Sequence, residues 1–347
     1  MPPRDPDRMP VKAAGRWMTG CVMVLLALWV AGLLTYQMPG PGWLGVTSAM
    51  LWLLAAAWAA WQVARGRGTR RLWVAFAGAL ALAGLWWLLL TPRQDRDWAD
   101  DVAQRLHVES FDGRHVVLDN VRDFTWRTET DYDARWVRRS YDLDQLRSAD
   151  LVLSYWMGPA IAHTLVSFGF EDGRHLVFSL EIRKERGESF SALGGFFRKF
   201  EMTLVASEET DIIRTRTNAR GEDVYLYRLH GMDRNQLKTL FAAYIDQARQ
   251  LDATPGFYNT LTSNCTTIVF DLARHIAPRL PLDYRLLASG YLAEYAQEVG
   301  ALTPGVPYAE LHAKGRITER ALKMAPDDDF STVIRQGIPG TEQDPQQ

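Results

Sequence analysis

Cysteine is nearly absent: the 347 residues contain two, Cys21 and Cys265. Cys21 lies in an apolar run, so no disulfide framework can staple a domain. No CxxC, no HExxH and no grouped Cys/His set occurs, which leaves no zinc site of recognisable spacing. Walker and dinucleotide glycine patterns are missing as well, so neither a nucleotide nor any other cofactor is expected. Basic excess is lacking too. The formal net charge is −2, which offers no electrostatic case for nucleic acid. Charge of either sign disappears altogether from residues 17–64 and again from 72–92.

Those uncharged stretches are what the chain has instead. Residues 17–36, 43–64 and 72–90 each reach the roughly 20 apolar residues that a membrane crossing needs. "MPGPG" (38–42) separates the first from the second, and "RGRGTRR" (65–71) the second from the third. Trp17, Trp43, Trp61 and Trp73 fall near the ends, where an aromatic belt would place them. A cleaved signal peptide would be one short run, not three. "MTGC" (18–21) precedes its apolar run instead of following it, so it is not a lipoprotein cleavage box. Arg4, Arg8, Lys12 and Arg16 precede the first run, and Arg65, Arg67, Arg70 and Arg71 fill the second loop, while the first loop is uncharged. Both basic segments stay cytoplasmic if two crossings separate them, and the third crossing carries the rest of the chain outside. The expected organisation is a cytoplasmic basic arm (1–16), three transmembrane helices (17–92), a linker and accessory β-hairpin region (93–150), a catalytic domain (151–302) and an irregular tail (303–347).

In the outer part, residues 107–127 form two alternating runs about an Asp-Gly turn, a hairpin. A short helix is expected near 143–146, a strand at 151–156, and a second hairpin at 162–184 around "EDG". Residues 185–200 lean to helix. Their end, "LGGFFRKF" (193–200), suits either a seat in the membrane interface or a buried helix. Residues 203–218 and 222–229 read as strands. Residues 233–251 read as a helix behind an Asp cap, and residues 265–277 as another. The fold class is α+β.

Chemistry concentrates on "TSNC" (262–265). Ser263 or Asn264 would cap the helix and place Cys265 in its first turn. There the dipole and free N–H groups favour a thiolate, and the same N–H groups can hold an oxyanion. A free cysteine is equally at home as a small buried hydrophobe. Among the seven histidines, His275 lies about 15 Å along the same helix, too far for a hydrogen bond. His115 and His175 follow Asp-Gly-Arg turns, and His230 and His312 sit at element ends without company. His163 begins a strand between apolar neighbours, which is odd unless it faces a site. If "EDG" is a three-residue loop with Gly173 left-handed, Phe170 pairs with Arg174 and Glu181 lies opposite His163. A two-residue Asp-Gly turn would instead set Ile182 opposite, leaving His175 or a backbone carbonyl as the orienting group.

With these residues in place, the chain resembles the circularly permuted branch of the NlpC-type papain-like superfamily. More closely, "SYWMGPAIAHTLVSFGFEDGR", "EIRKERGESFSALGGFFRKFE", "RGEDVYLYRL" and "YNTLTSNCTT" resemble the Lnb N-terminal periplasmic domain family over about residues 150–290. The resemblance implies a papain-like fold in which an antiparallel sheet carries the histidine and a helix carries the cysteine. It implies a Cys265–His163 catalytic pair, bacterial lipoprotein N-acylation and a seat in the inner membrane with the catalytic domain in the periplasm. The expectation is therefore a membrane-anchored thiol acyltransferase or acyl hydrolase, with membrane lipids or lipoproteins as partners. The alternatives are a cell-wall amidase or peptidase using the same pair, and a non-enzymatic envelope scaffold in which Cys265 is inert.

Overall fold

A long apolar segment away from water satisfies its backbone polar groups by coiling into a helix. In the computed structural model, three helices occupy the uncharged runs: α1 (Val11–Gln37), α2 (Gly42–Ala64) and α3 (Arg70–Leu89). The structure describes residues 11–325 and 327–341. Arg4 and Arg8 lie outside the described residues, as do the side chains of Lys12 and Arg16 and residues 342–347 of the tail. All three helices are long and apolar enough to cross a membrane, with mean hydropathies of 2.1, 1.5 and 2.0. Leu25, Leu54, Leu82 and Leu88 point outward, an apolar exterior that suits lipid rather than water. α1 and α2 meet at backbone distance. A Cβ on Gly45 would lie 2.8 Å from the carbonyl oxygens of Leu34 and Thr35, so only glycine fits. The segment 191–199, which contains α4 (Ala192–Phe196), belongs to this first unit. Phe197 packs with Val30, Leu33 and Ala83, stacks on Tyr36, and fills the space beside Gly32. Gln37 Nε2 donates to the carbonyls of Phe197 and Arg198 at 2.8 and 2.9 Å. "LGGFFRKF" thus divides: Phe197 is buried, whereas Leu193 and Phe196 are exposed.

The second unit (93–190 and 200–347) is built on a sheet. Its strands are β1 (His107–Phe111), β2 (His115–Arg122), β3 (Thr125–Trp126), β4 (Tyr132–Asp133), β5 (Trp136–Asp142), β6 (Leu146–Tyr155), β7 (Ala162–Phe170), β8 (His175–Arg183), β9 (Glu201–Glu208) and β10 (Asp223–Arg228). The main sheet runs β1-β2-β9-β8-β7-β6-β10 with β5 alongside β2, while β3 and β4 pair separately. Pairing is antiparallel except for a single parallel contact between β2 and β9. The hairpin 107–122 is therefore part of the main sheet, not an accessory to it.

Alternation along the strands gives the sheet two buried faces. Val166, Phe168, Phe178 and Leu180 point to one side, beneath α6 (Arg234–Ala253), whose Phe241 and Tyr244 interlock with them. Val152, Leu165, Val177 and Val205 point to the other. Each such side chain contributes about 1.5–3 kcal/mol when fully buried, so neither face can be left open to water. The second face is covered by two segments expected to look different. Residues 203–218 are not one strand: β9 ends at Glu208, and α5 (Glu209–Arg214) and a π-helical turn (Thr215–Ala219) follow. Glu209 and Asp211 enter the interior at that point because buried arginines, Arg335 and Arg122, wait for them. The tail is not irregular either. After α7 (Cys265–Ala273) and α8 (Leu292–Glu298) come α9 (Tyr308–Gly315), α10 (Thr318–Leu322) and α11 (Phe330–Arg335). Ile317, Ala321, Phe330, Ile334 and Ile338 close the second face.

Candidate active site

The turn between β7 and β8 decides what faces His163. Phe170 N donates to Arg174 O, Gly173 N donates to Phe170 O, and Gly173 has φ +81°. This is the three-residue loop with a left-handed glycine, and it sets the β7–β8 register, with Gly169 opposite His175 and Leu165 opposite Ser179. Continued to the start of β7, it brings His163 to Glu181, with Nε2 3.1 Å from Oε1. Ser179, two residues earlier on the same face, lies between them. His163 Nε2 and Ser179 Oγ are 2.7 Å apart, and Ser179 Oγ donates to Glu181 Oε1 at 2.7 Å.

The strand carrying His163 is fixed at its first residue. Ser289 Oγ accepts from Ala162 N at 3.0 Å and donates to Ala162 O at 2.7 Å. The next turn is seated against the loop before β7: a Cβ on Gly290 would lie 2.0 Å from Pro159 O. The thiol arrives on α7. Asn264, not Ser263, is the cap. Its Oδ1 accepts from Thr266 N and Thr267 N, both at 2.9 Å, and Thr267 Oγ1 accepts from Asn264 N at 2.9 Å. Ser263 exchanges backbone hydrogen bonds with Asn259 instead. The cap consumes the amides of Thr266 and Thr267, so the first-turn donor left for an oxyanion is the N–H of Cys265 itself. Thr266 and Thr164 join hydroxyls at 3.0 Å and clip the helix to β7 one residue beyond His163.

The electrostatics follow from this placement. Burial works against a Cys265 thiolate. The charge of His163, a hydrogen bond to its ring, the Thr164 amide and the Thr266 hydroxyl outweigh it, and the thiol sits below its usual value. Burial also works against an imidazolium, but the Glu181 carboxylate raises His163 to about 9, with Arg216 opposing. Glu181 is held well below the ordinary carboxyl range: against its burial stand His163, Arg216 and Ser179.

Sequence reasoning missed several groups here. Ser179 was within reach, since S-x-E on β8 places both side chains on the face of His163. Arg216, 4% exposed, comes from the π-helical turn, and no local spacing announces it. Its Nη2 donates to Glu181 Oε1 at 2.9 Å and its Nη1 to Glu222 Oε2 at 3.2 Å. Ser154, opposite His163 on β6, donates to the same Glu222 oxygen. Tyr258 senses the charges of Cys265 and Glu181, and its ring meets Phe190 edge-on, as Phe190 does Trp156.

The other histidines stay apart. His107 pairs with Asp252, His115 with Asp112, and His275 turns back to the carbonyls of Asp271 and Leu272. His312 does have company: the Tyr227 hydroxyl lies 2.8 Å from Nδ1, and Tyr225 stacks on the ring. No group of three metal-ligating side chains occurs among the described residues. Comparison with curated proteins and with solved structures finds no match. A family match covers residues 132–290, the stretch carrying His163, Glu181 and Cys265. That stretch belongs to the Lnb N-terminal periplasmic domain family, and with the three apolar helices it makes the chain a membrane-anchored protein with a periplasmic domain.

Proposed function

We propose that Cys265 and His163 form a thiol acyl-transfer centre acting on lipid or lipoprotein acyl groups. The observation that carries this reading is the convergence of a helix-capped cysteine, a histidine and a carboxylate at one end of the central strands β7 and β8. Glu181 and Ser179 engage Nε2 of His163, which leaves Nδ1 to exchange a proton with the thiol. Sγ attacks the carbonyl carbon of an acyl ester, and the Cys265 amide stabilises the oxyanion. The C–O bond then breaks, and the leaving alkoxide takes its proton from the imidazolium. An amine or water, deprotonated by the neutral ring, attacks the thioester and releases the thiol. Exposed apolar residues in the neighbouring loops, Trp156, Met157 and Leu261, favour an acyl chain over a glycopeptide.

The test is mass spectrometry of the full chain incubated with phospholipid vesicles. The expected adduct is one acyl group on Cys265, absent in Cys265→Ser. Unmodified Cys265 that nonetheless cleaves muropeptides would replace this reading with the amidase one. An unmodified and unreactive thiol would leave the scaffold.

For the membrane arrangement we infer three crossings of the inner membrane, with the N-terminus cytoplasmic and the second unit in the periplasm. The charge asymmetry of the two loops supports this. A reporter active only in the cytoplasm, fused after Gln347, should be silent, and strong activity there would reverse the topology.

A further inference from the structure

Behind the His163–Glu181 contact lies a buried chain of polar groups that neither the thiol nor the imidazole touches. Ser154 is fully buried, Arg216 is 4% exposed, and the Glu222 side chain is 9% exposed. Arg216 is the centre of this chain: one arm ends on Glu181 and the other on Glu222. Two carboxylates flanking one buried guanidinium would repel each other without it, and breaking such a pair leaves an uncompensated charge. Glu181 Oε1 receives Arg216 and Ser179 and faces His163, so three groups compete for one oxygen and fix its position. The turn that carries Arg216 is itself braced. Asn218 Nδ2 donates to Ala321 O at 3.3 Å, and the Thr318 hydroxyl accepts from Val224 N and donates to Glu222 O.

We propose that Arg216 is a positioning residue for Glu181, anchored through Glu222 and Ser154, and that this chain sets the orientation and the net charge that His163 meets. The inference rests on the reading of Cys265 and His163 as a working pair, but it concerns the proton on the ring and not the acyl substrate. The charged and titratable groups around His163 are Glu181 on β8, Arg216 on the π-helical turn, Glu222 ahead of β10 and Cys265 on α7. Tyr258 faces Cys265 and Glu181, and Arg220 reaches Glu222 at 3.7 Å and Asp101 at 3.6 Å. Arg216 acts on the ring in two ways. It holds the carboxylate that stabilises the imidazolium, and its own positive charge keeps that stabilisation from becoming a trap. A ring that never yields its proton cannot act as an acid to the leaving group.

The test is the pH profile of Cys265 alkylation by iodoacetate in the full chain, with Cys21→Ser to remove the other thiol. The anionic reagent is drawn by the imidazolium, so the rate falls as the ring loses its proton. That alkaline limb is expected near the His163 value of about 9. Arg216→Lys keeps a cation near the ring but loses the two-armed grip on Glu181 and Glu222, so it should let the carboxylate slip from the imidazolium and move the limb down by about one pH unit. Glu222→Gln removes an anion and keeps the shape, and should move it down by a similar amount. A bystander that only supports folding would lower the melting temperature and leave the limb in place. An unmoved limb in Arg216→Lys, or one that moves up, overturns the proposal. If Arg216→Lys does not fold, Glu222→Gln carries the test, and an unmoved limb there overturns it equally. Failure of the acyl-transfer reading looks different: the limb moves as stated while no lipid adduct forms.

Discussion

Two clusters on the same face of the sheet are assembled from the same four residue types, and they do different things. Ser179, Glu181, Arg216 and His163 gather at one end. Ser167, Glu209, Arg335 and His175 gather at the other, beyond the apolar band of Val152, Leu165 and Val177. In the second cluster both carboxylates are spoken for. Arg335 grips Glu209 with two arms, at 2.5 and 2.8 Å, and Asp150 at 2.8 Å, while Arg228 closes on Asp150 at 2.9 Å. Its histidine stands 3.9 Å from Glu209 and turns Nδ1 to the carbonyl of Gly173. In the first cluster the histidine touches the carboxylate directly, and a thiol stands at its other side. The difference lies in what stands beside each ring: a carboxylate and a thiol at His163, a backbone carbonyl at His175. One set of side chains clasps α11 to the sheet, and the other is the one we propose moves a proton.

The sharpest way to break this comparison is to remove each histidine in turn. His163→Ala should lower Cys265 acylation by about 10²–10⁴-fold, the span general acid–base groups supply, with the chain still folded in the membrane. His175→Ala should leave acylation within about twofold, since its ring turns to the Gly173 carbonyl at the far end of β8 from His163 and Glu181. Equal losses from both would mean that the second cluster reaches the thiol through the sheet, and the division drawn here would fail.

The two clusters were also unequally legible. The first could be read in large part because its geometry is local. Gly173 in "EDG" fixes a turn, the turn fixes a register, and the register puts Glu181 across from His163. Asn264 before Cys265 is likewise a short-range signal, since a cap acts on amides two and three residues ahead. Arg216 and the second cluster are long-range. Arg335 meets Asp150 and Glu209 from the far end of the chain, and no spacing in the sequence links them. The covering helices did leave a trace that proline and glycine obscured: Phe330, Ile334 and Ile338 recur every four residues, a stripe with one face to bury. Residues 209–214 misled for the opposite reason. A short run with Ile212 and Ile213 fits strand and helix alike, and the buried arginines decided it.

A smaller effect separates the clusters by pH. Glu209 is buried, which alone would raise it, but Arg335 and His175 pull it down to about 2 from 4.5. A depressed carboxyl stabilises the fold above its unfolded value, and that stabilisation is lost as pH falls toward 2. Glu181 and Glu222 are depressed too, so acid weakens both ends of the face. Alkali bears on the first cluster through His163. His163 is raised from 6.5 to about 9, so its contribution is complete below 6.5 and disappears as pH rises through 9. At 1.36 kcal/mol per unit this is on the order of 3 kcal/mol as an upper bound. Cys265→Ser is the background of choice, because there Glu181 alone sustains the imidazolium and no thiolate complicates the titration. The apparent melting midpoint of the full chain in detergent should then fall as pH rises above 6.5, with the fall complete below 9 because the thiolate no longer adds to the ring's stabilisation. Adding His163→Ala should flatten that slope. A slope that survives the loss of His163 would place the titrating group elsewhere and remove the electrostatic ground for treating the two clusters differently.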